Sequence, residues 1–428
     1  MSTFHIKTFG CKVNQYDGRK LAEYLQEKGY IQVSLQEAQA IVVNGCSVTA
    51  RSEQKIRQFI RSRQKETPGK KIVITGCYAN RMFLSGEEPP DKIYFAPENN
   101  HKIWDDLFPF LPDKKSSEQF LLRDRTRAFI KIQDGCRQFC SYCIVPYVRG
   151  SNQSRKPDKI YDELERASQQ GIQEIVLSGV HVGQYGQDLS EGLSLTQLMK
   201  GIRKRFSFER IRLSSIEVTE ITSELIELIK SSPFCRHLHI PLQSGSDHIL
   251  AGMNRSYRRE DFLSLVKKIR DSVPLIGIST DIIAGFPGES MEDFEQTRDI
   301  LHQIPFVKVH VFPYSSRPFT AAASFGNKVP PSQIKERASI LREDASASNF
   351  SFYSSMEGKK LLVLNEKYSR GFIHGYSDNY LKIETPVAQP LNHNTIVEVK
   401  GIQVRQTLKE TTLISDFIGQ KKKTGFSK

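Results

Sequence analysis

The chain has 428 residues, more than one hydrophobic core usually supports, so we expect two or three domains. Apolar residues make up 38% and charged residues 25%, as in ordinary globular proteins, and no apolar run approaches the roughly 20 residues of a membrane span. The first residues also lack a basic region followed by an apolar stretch. We therefore expect a cytoplasmic protein without a membrane anchor.

The charge of the chain indicates its partner. An excess of lysine and arginine gives a formal net charge of +13 and a pI near 9.3. Any single basic group is ordinary solvated surface, but the sum over the chain favours a polyanion, and nucleic acid is the one we expect. Basic residues are concentrated in the ranges 55–65, 255–259 and 421–423.

Residues 1–112 alternate predicted strands and helices, the pattern of a small doubly wound α/β domain. Three apolar runs each end in a glycine followed by a cysteine, namely Cys11, Cys46 and Cys77. Parallel strands bring their carboxyl ends to one edge of a sheet, so we expect the three thiols to converge there. Three thiolates on a four-iron cluster leave one iron open to an exogenous ligand.

A second series of strand–helix units follows a polar, proline-marked segment, residues 111–118, which we predict to be a linker. Six units predict a parallel sheet curled into a partial (β/α)6 barrel over residues 122–346, because a full eight-unit barrel typically needs ~250 residues. The loops after its strands are the expected active face. The predicted strands are 128–133, 174–178, 210–214, 237–242, 277–283 and 307–312.

The other cysteine triple is compact and follows the first barrel strand. Cys136, Cys140 and Cys143 form a C-x3-C-x2-C run, a spacing with which one loop can wrap the corner of an iron–sulfur cluster. A structural zinc site that borrows a distant histidine is the alternative, and disulfides are not expected without export. An open iron on such a cluster can chelate S-adenosylmethionine and deliver an electron to its sulfonium.

The last part of the chain changes pattern again. A predicted helix near residues 332–349 follows Pro330-Pro331, and short alternating strands with glycine and asparagine turns come after it. They predict a small antiparallel β-barrel of the oligonucleotide-binding kind over residues 351–418.

These motifs together resemble a known family. C-x3-C-x2-C after a first barrel strand, with Tyr142 before the last cysteine, is similar to the radical S-adenosylmethionine enzymes. The preceding domain with three cysteines and the terminal barrel, which resembles the TRAM domain, narrow the resemblance to the methylthiotransferases. Residues 8–16 and 133–136 are most similar to the branch that modifies N6-threonylcarbamoyladenosine beside the tRNA anticodon. The branches acting on isopentenyladenosine or on a ribosomal-protein aspartate stay open as alternatives, as does a zinc-stabilised RNA-binding protein.

The resemblance implies a reaction, two 4Fe-4S clusters and a set of partners. One S-adenosylmethionine gives its methyl group to a sulfur at the cluster of Cys11, Cys46 and Cys77. Another is cleaved at the cluster held by the compact run, and the resulting radical removes hydrogen from C2 of the adenine, where the methylthio group is inserted. The implied partners are the tRNA anticodon stem-loop and an electron donor such as flavodoxin or ferredoxin. We expect a monomer, and the sequence leaves the sulfur source open.

The expected contacts to S-adenosylmethionine lie near the carboxyl ends of later barrel strands, where glycine lets the backbone approach a ligand. They are Ser178, Gly179, Glu217, Gln243 and Asp281. A tight turn is the alternative explanation for the glycine.

Other residues are less clearly assigned. We interpret Cys235, His237 and His239, alternating along one predicted strand, as packing inside the barrel. Arg149 is expected either to contact substrate or cofactor or to form a surface ion pair. Residues 312–321 lack a proline and a glycine that are usual in the family, so this segment is expected to shape the substrate pocket.

Overall fold

The structure is a computed structural model that describes residues 3–90, 92–96, 101–109, 126–189, 192–407 and 410–421. The predicted linker at residues 111–118 lies outside them. Within this part of the chain, no helix has both the length and the apolar character needed to cross a membrane. The chain forms two compact units. The first comprises Met1–Leu121, Asp134–Asn152 and Ser315–Ser324, and the second comprises Leu122–Gln133, Gln153–Tyr314 and Phe325–Lys428.

The first unit contains a five-stranded parallel sheet in the order β2-β1-β3-β4-β5. Its strands are β1 (Thr3–Thr8), β2 (Ile31–Gln32), β3 (Ala40–Asn44), β4 (Lys71–Thr75) and β5 (Ile93–Phe95). Its helices are α1 (Lys12–Glu27), α2 (Ala50–Glu66), α3 (Gly76–Leu84), α4 (His101–Leu107) and α5 (Val145–Arg149). Strand β3 is buried along its whole length, as expected for a central parallel strand with a core on both faces. The predicted doubly wound domain is therefore present.

Each face of this sheet has its own apolar core. One core joins Phe4 and Val42 to Leu25 of α1 and to Trp104 of α4. The other joins alternate strand residues to Ile56 and Ile60 of α2. The period-two alternation of the strands and the helical spacing in α1 and α2 direct these side chains to opposite sides of the sheet.

The second unit contains six parallel strands in two sheets of three, ordered β10-β9-β6 and β11-β12-β13. Single bridges, Ile211 to Phe234 and Ser215 to His239, connect the two sheets, so the six strands form the predicted partial barrel. The six strands are β6 (Arg127–Lys131), β9 (Glu174–Ser178), β10 (Arg210–Leu213), β11 (His237–His239), β12 (Gly277–Ala284) and β13 (Lys308–Pro313), while β7 (Gln133–Asp134) and β8 (Gln153–Ser154) form a separate two-stranded sheet. The helices between them are α6 (Pro157–Gln169), α7 (Leu195–Arg205), α8 (Ser223–Ile229), α9 (Asp247–Gly252), α10 (Arg259–Ser272) and α11 (Met291–Gln303).

The second unit ends in a long helix and a closed β-barrel, as the alternating pattern predicted. Helix α12 (Pro331–Ser354) leads into five strands ordered β14-β15-β16-β18-β17. They are β14 (Lys360–Ser369), β15 (Phe372–Ser377), β16 (Lys382–Pro386), β17 (Thr395–Gln406) and β18 (Thr411–Gln420). The strand pairings are antiparallel as predicted, except that β16 and β18 pair in parallel. Inward residues such as Val363, Ile383 and Val399 form the barrel core with Phe352 and Tyr353 of α12.

A buried charge cluster lies at the amino-terminal ends of the first barrel strands. Glu174 is paired by register with Arg127 on one side and Arg210 on the other. Its carboxylate accepts a hydrogen bond from Arg212 Nε at 2.9 Å and forms ion pairs with Arg127 Nε at 3.1 Å and Arg210 Nε at 2.7 Å. Arg210 and Arg212 also donate to the backbone carbonyl of Ser377 in the terminal β-barrel. One carboxylate therefore holds three arginines, and all three contact the terminal barrel, Arg127 through an ion pair with Glu366 of β14.

Candidate metal centres and cofactor site

The three scattered cysteines lie at one edge of the first unit's sheet. The last residues of β1, β3 and β4, which are Thr8, Asn44 and Thr75, are aligned in register, and a cysteine follows two or three residues after each. Cys11 Sγ and Cys77 Sγ lie 3.8 and 3.9 Å from the same atom, Asn14 Oδ1. A side chain on Gly10 would place its Cβ 3.3 Å from Cys46 Sγ. All three thiols are therefore grouped around this point, as the strand pattern predicted.

The glycine before each of two cysteines is required by the backbone. Gly10 has φ +118° and Gly76 has φ +76°, a region that residues with a side chain rarely adopt. A Cβ on Gly10 would lie 2.5 Å from Cys46 Cβ, and one on Gly76 would lie 2.3 Å from Asn44 Oδ1. The Gly-Cys pairs of the sequence therefore reflect close packing at the sheet edge that brings the thiols together.

The donor set fits an iron–sulfur cluster. None of the six cysteines of the two triples forms a disulfide. Thiolates are the normal ligands of iron–sulfur clusters, so the donor chemistry of both triples suits a cluster.

The compact triple also belongs to the first unit, in a loop closed by its own backbone. The Cys136 N–H donates to the Gly150 carbonyl at 3.0 Å, and the Cys143 N–H donates to the Cys140 carbonyl at 2.9 Å. Gly135 has φ +67°, and a Cβ there would lie 2.0 Å from the Ser151 carbonyl oxygen. Cys140 is buried, while the other two cysteines are partly exposed.

Arg149, at the end of α5, lies between the two cysteine groups. Its side chain is only 4% exposed, so the expected surface ion pair is wrong. Nε donates to Cys77 Sγ at 3.1 Å, and the terminal nitrogens donate to Asp134 at 2.9 Å, Asn14 at 2.8 Å and Asp17 at 2.9 Å. Because Asp134 immediately precedes the compact cysteine loop, one guanidinium links that loop to the scattered triple.

The pKa of the Cys46 thiol depends on the same surroundings. Burial raises the pKa of the Cys46 thiol, the charge of Cys11 adds to this rise, and the positive charge of Arg149 opposes it. A thiolate is the form that binds metal, so a buried cationic neighbour favours the ligating form.

A second buried group of ion pairs, centred on Glu53, contacts Ser47, the residue after Cys46. Glu53 of α2 accepts from the Ser47 hydroxyl and from Arg317, and its carboxylate lies 3.0 Å from Arg81 Nε. Arg317 belongs to the segment Ser315–Ser324, and these contacts fix that segment to the first unit.

Asn14, which lies beside Cys11 and Cys77, was not predicted from the sequence. Its position three residues after Cys11 on α1 was the available signal, because residues at that spacing share one face of a helix.

In the second unit, the expected cofactor contacts lie at or after the ends of strands, except Asp281, which lies inside β12. Ser178 ends β9 and is buried, and Gly179 follows it in close contact with the Gln133 side chain. Gln243 has φ +65°; its N–H donates to the Asp281 carbonyl at 2.8 Å, so the structure brings these two together through their backbones.

Glu217 lies in a different polar group. It forms a salt bridge with Arg255, which sequence reasoning had placed only in a basic surface cluster. Burial raises the pKa of the Glu217 carboxyl, against the lowering effect of Arg255 and His181. His181 itself pairs with Glu220 at 2.7 Å.

The histidines of β11 have different neighbours. His237 hydrogen-bonds Ser279 at 2.7 Å and is buried, in agreement with interior packing. His239 Nε2 lies 3.0 Å from Asp281 Oδ2, and His310 completes the group of three ligand atoms within 4.8 Å. Asp281, predicted to contact S-adenosylmethionine, is thus already paired with a histidine.

Comparison with known proteins first defines the class. Residues 130–301 match the Radical SAM superfamily, and residues 3–91 match the Uncharacterized protein family UPF0004. The radical S-adenosylmethionine methyltransferase TsrM from Kitasatospora setae, solved with cobalamin and a 4Fe-4S cluster, has a TM-score of 0.51 at 14% identity. The match covers 75% of this chain and 77% of the TsrM chain, which shows a shared fold. The class is that of radical S-adenosylmethionine enzymes.

Curated relatives then give the family. "Threonylcarbamoyladenosine tRNA methylthiotransferase MtaB" of Thermotoga maritima is 38% identical over 90% of this chain and 91% of its own length. The protein of the same name from Chlamydia pneumoniae is 37% identical over 94% and 96%. "tRNA-2-methylthio-N(6)-dimethylallyladenosine synthase" of Caldicellulosiruptor saccharolyticus is 35% identical over 86% and 83%. The chain belongs to the radical S-adenosylmethionine methylthiotransferase family, whose members carry two 4Fe-4S clusters and use S-adenosylmethionine.

Proposed function

We propose that this enzyme inserts a methylthio group at C2 of N6-threonylcarbamoyladenosine beside the tRNA anticodon. The observation that carries the reaction is the presence, in one unit, of two separate groups of three cysteines that form no disulfide. The choice of nucleoside is supported by residues 8–16 and 133–136 and by the relatives at 38% and 37% identity, whose names specify threonylcarbamoyladenosine.

The two triples are assigned different clusters. Cys136, Cys140 and Cys143 hold the cluster that binds S-adenosylmethionine, and the scattered triple, Cys11, Cys46 and Cys77, holds the auxiliary cluster. When bound, the group on the compact triple would supply the electron for reductive cleavage of S-adenosylmethionine, and the group on the scattered triple would hold the sulfur that receives the methyl group. We further assign the polar contacts to S-adenosylmethionine to Ser178, Gly179, Glu217, Gln243 and Asp281.

The chain's own residues hold these groups in place. The Gly135 backbone, closed against Gly150 and Ser151, fixes the compact loop. The Arg149 guanidinium, neutralised by Asp17 and Asp134, donates to a sulfur of the auxiliary group. Hydrogen bonds to cluster sulfurs are one of the means by which a protein sets cluster reactivity.

The partners follow from charge and architecture. A net charge of +13 favours tRNA, and the terminal β-barrel is the module assigned to hold it. We assign the role of electron donor to a flavodoxin or ferredoxin, and we propose that the enzyme works as a monomer in the cytoplasm.

Nucleoside analysis of tRNA from a strain lacking the protein tests the substrate. The account expects loss of 2-methylthio-N6-threonylcarbamoyladenosine, accumulation of the form without sulfur, and restoration by the intact gene but not by a Cys140→Ala variant. Loss of the methylthio form of isopentenyladenosine instead assigns the other tRNA branch. An unchanged tRNA profile together with a changed ribosomal-protein aspartate refutes a tRNA substrate.

A further inference from the structure

Three aromatic side chains of the first unit contact one another and remain exposed beside the compact cysteine loop. Phe139, Tyr147 and Phe319 are 55%, 39% and 44% exposed. The ring centroids of Phe139 and Tyr147 lie 5.7 Å apart in an edge-to-face arrangement, and those of Tyr147 and Phe319 lie 6.3 Å apart. A contiguous apolar patch on a surface commonly marks an interaction site.

The backbone at Phe319 shows that its ring is held there against local preference. Its φ is +68°, a left-handed conformation in which a bulky residue is an outlier and glycine is favoured. Strained residues of this kind occur mostly where the surroundings fix them for a functional reason.

The surroundings of Phe319 do fix it. The Thr320 hydroxyl donates to the Arg317 carbonyl at 2.7 Å, and buried Arg317 is paired with Glu53. The Ala322 N–H donates to the carbonyl of Ser141 at 2.7 Å, and Ser141 lies between two cysteines of the compact loop. The ring is thus presented by a segment tied directly to that loop.

Exposed basic side chains lie next to the trio in sequence and on α2, whose first residue contacts the segment that carries Phe319. Arg137 is exposed two residues before Phe139, and the exposed face of α2 carries Arg51, Lys55 and Arg61. The start of α2 contacts the same segment, since the Ala50 N–H donates to Ser315 Oγ at 3.0 Å. Exposed aromatic rings beside positive charge are the combination that binds unstacked bases of single-stranded RNA.

We propose that Phe139, Tyr147 and Phe319 form a stacking platform for an unpaired base of the RNA substrate's loop. This inference rests on the proposed function, because it takes the substrate to be an anticodon stem-loop. The basic residues by themselves would also attract an acidic electron donor. Base stacking explains in addition why an exposed ring is held at Phe319 on a strained backbone.

The test is the Phe319→Gly variant, because glycine suits the backbone at this position while removing the ring. The probe is a fluorescein-labelled anticodon stem-loop RNA that contains N6-threonylcarbamoyladenosine, titrated anaerobically into the reconstituted enzyme. We expect affinity to fall about 10-fold, in the range for loss of one base stack, with an unchanged slope of affinity against salt concentration. KM should rise with kcat retained, and the thermal midpoint should not fall.

Matched variants separate stacking from other effects. Phe83→Ala removes another exposed aromatic of the same unit, outside the trio, and should bind the RNA as the wild type does. Lys55→Gln should lower the salt slope, which Phe319→Gly leaves unchanged. Equal affinity of Phe319→Gly and wild type for the stem-loop overturns the platform. An equal loss in Phe83→Ala overturns it as well.

Failure of the platform is distinguishable from failure of the proposed function. If the wild type modifies the stem-loop and Phe319→Gly binds it equally well, only the platform is wrong. If the wild type binds the stem-loop but produces no methylthio nucleoside, the proposed function is wrong whatever the variants do. If Phe319→Gly keeps RNA affinity and loses only flavodoxin-driven cleavage of S-adenosylmethionine, the surface binds the donor and the platform is overturned.

Discussion

Replacement of Glu174 by glutamine tests the role of the buried charge cluster in the second unit. Burial alone would raise the pKa of this carboxyl, but Arg210, Arg212 and Arg127 outweigh burial and lower it from 4.5 to about 2. At about 1.4 kcal/mol per pKa unit, this shift corresponds to about 3 kcal/mol of stability. Glu174→Gln keeps the shape but removes the anion that three guanidinium groups share, of which Arg127 keeps its ion pair with Glu366, so we expect a loss of about 3–5 kcal/mol.

Hydrogen–deuterium exchange measures this loss where it occurs. We expect amides of β9 and β10, and those of the terminal barrel near Ser377, to exchange at least about 100-fold faster at neutral pH. Glu224→Gln is the matched control, since Glu224 pairs with Lys200 on the surface and its loss should leave these amides unchanged.

The stability that Glu174 contributes should fall as the pH is lowered. The folded-state pKa of Glu174 lies below its ordinary value, so its contribution is fully present above about pH 4.5 and disappears as the pH falls towards about 2. The difference between wild type and Glu174→Gln should shrink across this interval. Equal protection of the two proteins at neutral pH would refute the assignment of the cluster as a determinant of stability.

Three further changes act on the first unit. Arg149→Met removes the donor to Cys77 and the ion pairs with Asp17 and Asp134, so the auxiliary cluster's EPR signal should change while iron content is largely kept; an unaltered spectrum would contradict the contact. Cys140→Ala should abolish reductive cleavage of S-adenosylmethionine, whereas Cys46→Ala should spare cleavage and prevent sulfur insertion; equal loss of both activities, with cluster content verified, would argue against separate roles. Gly135→Ala forces a Cβ against the Ser151 carbonyl, so iron should be lost from the compact loop alone; full iron occupancy would show that the loop is not constrained there.

Local patterns predicted the elements that carry the site. Strand β9 was predicted with the bounds that the structure has, Glu174–Ser178. A short β-branched run bounded by turn signals favours the extended conformation of a buried strand. The glycine before Cys11 and before Cys77 marked the strand ends correctly, since only glycine fits the close approach there. The convergence of three thiols then followed from parallel topology.

What the sequence did not predict depends on pairing between distant segments. The partners of Arg149 lie in α1, in α3 and before the compact loop, and no local pattern specifies such a meeting. Likewise, the meeting of His239, Asp281 and His310 depends on the alignment of three strands. The assignment of Ser315–Ser324 to the first unit also required the structure, because its sequence continues the last barrel strand.

The central claim is that each cysteine triple holds its own cluster with an iron left open. Mössbauer and EPR spectroscopy of the reconstituted enzyme, with and without S-adenosylmethionine, tests it most directly. The account predicts about eight irons per chain, about four after Cys11, Cys46 and Cys77 are all changed to alanine, and a spectrum of the remaining cluster that still shifts when S-adenosylmethionine is added. Zinc in place of iron at either triple, or a remaining cluster insensitive to S-adenosylmethionine, would contradict it.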